Sequence, residues 1–112
     1  MPSMPPVYQA GAAMQARAGT AAAARIRQSR KWTRFSVRLR KDNPLCQAPG
    51  HRGPIAAVES VHHFQPLAER PDLAFAESNC WCLCAKCHQN LSTIEREQGT
   101  RAAQVALLNG TA

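Results

Sequence analysis

Cys84-Ala-Lys-Cys87 places two thiols two residues apart. At that spacing one tight backbone turn can hold both sulfurs about 2.3 Å from a single zinc ion. A tetrahedral site needs a second half, and Cys46 with His51, set on either side of a Pro-Gly turn, completes a Cys3His set. Cys80 and Cys82 alternate with Cys84, which leaves Cys82 open as a substitute for His51. The simpler reading of both is that they are small buried hydrophobes. A second group of residues suggests a different chemistry: the adjacent pair His62 and His63, then Asn79, then His88 directly behind the second thiol of the pair. A neutral imidazole, with an unperturbed pKa of about 6.5, can take a proton near neutral pH or bind a metal.

A chain of 112 residues has room for one domain with a modest core. Only 5% of its residues are aromatic, against five cysteines and four histidines, so a metal staple suits it better than a large apolar interior. The net charge of +7 is unevenly spread. Residues 1–41 hold nine Lys/Arg and no acid, whereas residues 42–112 hold five Lys/Arg against seven Asp/Glu. Such a basic block is expected to meet a polyanion. The first nineteen residues contain no continuous apolar run, so neither a signal peptide nor a membrane span is expected there, and an intracellular setting follows. In a reducing compartment, closely spaced cysteines point to metal rather than disulfides.

These groups must be positioned by few elements. Residues 1–19 read as a disordered lead. Residues 20–41 read as one basic amphipathic helix, in which Trp32, Phe35 and Leu39 recur at helical spacing. That helix carries Arg27, Arg30, Lys31, Arg34, Arg38, Arg40 and Lys41, the candidate contacts to a nucleic-acid backbone. It ends before Pro44, which disfavours helical geometry in the residue preceding it. Turn residues fill the stretch from Cys46 to Pro54. A strand is predicted over 58–64, closed by Pro66, with His62 and His63 at its end. A loop over 67–78 leads through Trp81 and Leu83 to a helix over 85–98, which Gly99 stops, and a short helix over 100–108 follows. The fold class is α+β, with residues 42–98 as the compact core and residues 99–112 as a terminal helix and tail.

The runs Asn43-Pro-Leu-Cys46, Val61-His-His-Phe-Gln-Pro-Leu67 and Ser78-Asn-Cys-Trp-Cys-Leu-Cys-Ala-Lys-Cys-His88 resemble, in order and spacing, the HNH endonucleases. The resemblance covers roughly residues 30–98, including the basic helix around Trp32. It implies a zinc-stapled ββα-metal fold and a phosphodiester hydrolase that cuts DNA, leaving 5′-phosphate and 3′-hydroxyl ends. Carried onto this sequence, it makes His63 the general base, His62 and His88 the ligands of one catalytic divalent ion, and Asn79 the residue that holds the His63 backbone. Mg²⁺ or Mn²⁺ is the implied ion, with Ni²⁺ as a further option, beside a structural Zn²⁺. The implied partners are DNA and, in a phage or prophage setting, terminase or other packaging proteins. Adjacent side chains on a strand point to opposite faces, so His62 and His63 can reach one phosphate only at a bend or at the strand's end. A rival from another class is a non-catalytic zinc module that only binds DNA, or a packaging accessory. Such a module accounts for the thiols and the charge but has no use for a second, open set of histidines.

Overall fold

A computed structural model describes residues 12–111. Positions 1–11 of the expected lead lie outside the described residues, and from Ala12 onward the chain is already helical. The single basic helix predicted over 20–41 is two helices, α1 (Ala12–Arg27) and α2 (Arg30–Asp42). Ser29 makes the break. Its extended backbone leaves the helix, its hydroxyl donates to the Ile26 carbonyl at 2.6 Å, and the same oxygen accepts the Trp32 N–H at 3.1 Å. One serine therefore ends α1 and N-caps α2. Helix α2 stops at Asp42, where the Asn43 amide N–H closes back on Leu39 before Pro44.

Strands β1 (Ser60–His63) and β2 (Cys80–Leu83) form an antiparallel pair in which His62 faces Trp81 and His63 faces Cys80. The strand is shorter than predicted because its flanks pair elsewhere. The Val58 N–H goes to the Pro44 carbonyl, and the Phe64 N–H to the Asn79 carbonyl. Two single 3-10 turns, Pro71–Leu73 and Glu77–Asn79, interrupt the expected loop. Helix α3 (Ala85–Gln98) runs to Gly99, whose φ of 98° is open to glycine, and α4 (Thr100–Asn109) folds back against α3. Thr100 lies inside α4, and Gly99 holds its N-cap position.

Three small apolar clusters hold these parts together. Leu83, Leu91, Ala103 and Leu107 join β2, α3 and α4 around the buried Cys84 and Cys87. Phe35, Leu39 and Cys82 join α2 to one face of the sheet. Ala23, Leu67 and Ala74 seat α1 on the segment that follows β1. The sheet thus lies between α2 on one face and α3 on the other, with its end open. Among the described residues, no helix is long and apolar enough to cross a membrane.

Candidate active site and metal centre

Cys46, His51, Cys84 and Cys87 converge, with all four ligand atoms within 4.8 Å of one another. Ligands about 2.3 Å from a tetrahedral zinc stand roughly 3.7 Å apart, so the set is close to the size zinc requires. His51 Nδ1 lies 3.4 Å from Cys87 Sγ and 3.5 Å from Cys84 Sγ. Its Nε2–H donates to the Pro54 carbonyl at 2.8 Å, which leaves the Nδ1 lone pair facing the sulfurs. Cys84 is the N-cap of α3, and its sulfur accepts the Cys87 N–H. Burial raises the Cys84 thiol, but the hydrogen bonds it receives within the cluster, that of the Cys87 amide first, outweigh it and bring it down to about 7. Cys87, buried beside the same groups, is pushed up. One ready thiolate at a helix start suits a metal ligand.

Cys82, the alternative to His51, is fully buried on the opposite face of β2, its thiol 3.8 Å from the Leu39 carbonyl. The alternation that could have brought it to the cluster fails because the strand ends at Leu83 and Cys84 begins the helix. Cys80 shares that face, and burial drives its thiol up to about 11. Both are packing residues.

His62 and His63 are the last two residues of β1, and the cross-strand register puts them on opposite faces. His62 turns toward α3, its ring 6.1 Å from that of His88. His63 turns toward α2, its ring 4.9 Å from that of Trp32. Both nevertheless line one cleft of about 520 Å³ that wraps the end of the strand, with Arg27, Trp32, His88 and Glu95 also on its walls. Of the two ways open to them, a bend or the strand's end, it is the strand's end that brings both to one cleft.

Burial, with the His88 and His63 rings adding repulsion, pushes His62 down to about 4, so it is a neutral imidazole at physiological pH, the form a metal binds. His63 is lowered as well: burial dominates, the Ala74 hydrogen bond opposes it, and the Arg27 charge adds to it. A carbonyl can only accept, so the 3.1 Å contact with Ala74 requires the proton on His63 Nε2 and leaves Nδ1 as the open lone pair. Asn79 is buried, and its amide pairs with the backbone of Gln65, accepting that N–H at 2.8 Å and donating to that carbonyl at 3.1 Å. The anchor expected on the His63 backbone thus falls two residues later, while the Asn79 carbonyl takes the Phe64 N–H. Together they fix the turn that ends β1.

The basic residues divide by location. Arg27 stands in the histidine cleft. Lys31, Arg34 and Arg38 line a neighbouring groove of about 480 Å³ beside Phe75, where Lys31 lies 4.3 Å from the centre of the Phe75 ring and Arg38 comes within 3.7 Å of Glu77. Arg30 and Lys41 are exposed, and Arg40 is turned inward onto the Ser36 and Glu59 carbonyls. Sequence reasoning did not single out Gln65 or Ala74, which act through backbone atoms and so leave no signature in residue type. Nor did it find Gln47, whose side chain accepts the Cys82 N–H at 2.7 Å and covers the outer edge of β2.

No protein-family model and no curated protein matches the chain. Among solved structures, the crystal structure of an HNH endonuclease from the deep-sea thermophilic bacteriophage GVE2, with manganese ion, superposes at a TM-score of 0.64 and 25% identity. The match covers 77% of this chain and 95% of that one. This is the HNH fold. In HNH terms, β1, β2 and α3 form the ββα unit, and the Cys46/His51/Cys84/Cys87 cluster lies at its helix start, away from the histidine cleft.

Proposed function

We propose that the chain is a metal-dependent DNA endonuclease of the HNH kind, hydrolysing phosphodiester bonds with His63 as general base. The observation that carries it is one cleft lined by His62, His63 and His88, on which one nitrogen of His63 is tied to Ala74 and the other, among the described residues, is open. A binding module gains nothing from such an arrangement. Likeness to a phage HNH endonuclease supports the same conclusion.

In this account His63 Nδ1 takes the proton of an attacking water, because burial keeps the ring neutral near pH 7. Asn79 and Ala74 hold that imidazole, one through the Gln65 turn and one through Nε2. His62 and His88 present their imidazoles to a divalent ion, which would supply Lewis-acid charge at the phosphate. Two imidazoles leave most of a coordination sphere to substrate and water and suit Mn²⁺ or Ni²⁺ better than Mg²⁺, an oxygen-seeking ion. Arg27 neutralises phosphate charge in the cleft, and Lys31, Arg34 and Arg38 carry the backbone beyond it. Cys46, His51, Cys84 and Cys87 hold a structural zinc that ties the segment after α2 to the start of α3. A phage-related setting, beside DNA-packaging proteins, is the biological role we attach to it.

The test is incubation of zinc-loaded protein with supercoiled plasmid in EDTA, Mg²⁺, Mn²⁺ or Ni²⁺. Nicked and linear products that require added divalent ion support the proposal. Binding of zinc and DNA with no cutting in any metal would replace it with the DNA-binding module.

A further inference from the structure

The hydrogen bond to Ala74 restrains His63 on one side only. An imidazole held at one nitrogen still has a broad torsion about its Cβ–Cγ bond. The second restraint is Trp32, whose ring lies 4.9 Å from the imidazole with the planes 33° apart. Trp32 is itself fixed. It sits in the first turn of α2, where its N–H is taken by the Ser29 cap, and its ring is backed by Phe35 at 5.6 Å and Phe75 at 6.1 Å. Those two phenyl rings meet edge to face at 5.4 Å. Phe75 directly follows Ala74, so the residue that backs the indole adjoins the one whose carbonyl holds the imidazole. Three separated pieces of chain, α2, β1 and the segment after it, thus meet at a single histidine ring.

We propose that Trp32 is a positioning residue for the general base: its indole braces the His63 imidazole against the Ala74 carbonyl and keeps Nδ1 as the open nitrogen on the cleft. This rests on the assignment of His63 as the base. It makes the seating of α2, the helix bearing Lys31, Arg34 and Arg38, a condition for turnover as well as for binding. Trp32 packs against the Phe35, Leu39 and Cys82 cluster on one side and lines the cleft on the other, so its ring faces the site as well as the core.

The experiment compares the full zinc-loaded chain with Trp32→Leu, Trp32→Phe and His63→Ala, measuring kcat and KM for a labelled duplex in Mn²⁺ and the His63 tautomer by long-range ¹H–¹⁵N spectra. Loss of a brace misdirects the base without removing a DNA contact, so Trp32→Leu should lose ten- to a hundredfold in kcat, with KM within about twofold of the parent. Its His63 should pass from a single Nε2–H tautomer to a mixture, and Trp32→Phe, which keeps a ring on the imidazole, should recover most of both. Parental kcat in Trp32→Leu, a change in KM alone, or a kcat loss with the tautomer unchanged each overturns the proposal. If Trp32→Leu fails to retain zinc, Trp32→Met, whose unbranched and flexible side chain refills an irregular gap more readily, is judged by the same criteria. His63→Ala separates the two claims: if it cuts like the parent the base assignment itself fails, and if it is inactive while Trp32→Leu cuts normally only the brace fails.

Discussion

At the scale of single residues, the account turns on protonation and on hydrogen bonds that have no substitute. His63 must be neutral to accept a proton, and burial holds its pKa below 6.5. Lowering the pH therefore removes activity only as it falls through that depressed value. In a pH profile at saturating Mn²⁺ the acid limb should have its midpoint below 6.5, with a flat rate above it; a midpoint above 6.5 would point to a different base. Asn79 is expected to matter through structure. Replacing it with alanine leaves the Gln65 N–H and carbonyl unpaired beside the histidine turn, at a cost of about 1–3 kcal/mol in a denaturant melt. The Cys46/His51/Cys84/Cys87 set, which converges in space, and the histidine set were legible in residue type and spacing. What was not legible is how each histidine is held, because Ala74 and Gln65 contribute main-chain atoms that any residue would offer. Cys82 was ambiguous for a related reason: alternation along a strand says which face a thiol takes only if the strand's last residue is known.

At the scale of elements, the sequence placed the ends of α2 and α3 well, where Pro44 and Gly99 act as stops that need no tertiary partner. It missed the break at Ser29, since the surrounding residues are good helix formers and a serine cap is cheap to overlook inside such a run. The break has a consequence: it lets α1 swing onto the segment after β1, so closely that a Cβ at Gly19 would run into the Ala68 carbonyl. Glycine to alanine inside a helix ordinarily stabilises by about 0.5–1 kcal/mol. Gly19→Ala should do the opposite and lower the midpoint of thermal unfolding, whereas a raised midpoint would show that α1 does not dock there. On α2, Arg34→Ala and Arg38→Ala should weaken duplex binding and each reduce the slope of log affinity against log salt by about 0.9. Slopes equal to the parent's would remove these residues from the DNA contact.

At the scale of the molecule, the three apolar clusters are small, and two of them include thiols or lie against the Cys46/His51/Cys84/Cys87 cluster. A core of this size calls for a staple, and the Cys46/His51/Cys84/Cys87 cluster is built to hold one. Stripping zinc with a chelator, or replacing His51 with alanine, should abolish the cooperative melt, while Cys82→Ala should keep one zinc per chain. The α+β architecture, the basic arm and the separation of a closed thiolate site from an open histidine site all follow from patterns along the chain. The meeting of Arg27, Trp32 and the histidines in one cleft does not, because it needs the turn at Ser29 and the end of β1 to coincide in space. Helix α4 reaches the same region, its Gln104 side chain donating to the Phe64 carbonyl at 2.9 Å next to His63. The most direct test of the central claim sets purified wild type beside His63→Ala on supercoiled plasmid in Mn²⁺, with zinc content and DNA affinity measured for both. The account predicts equal zinc, equal binding and a loss of cutting by at least about a hundredfold in His63→Ala. Cleavage by His63→Ala at the wild-type rate would contradict it.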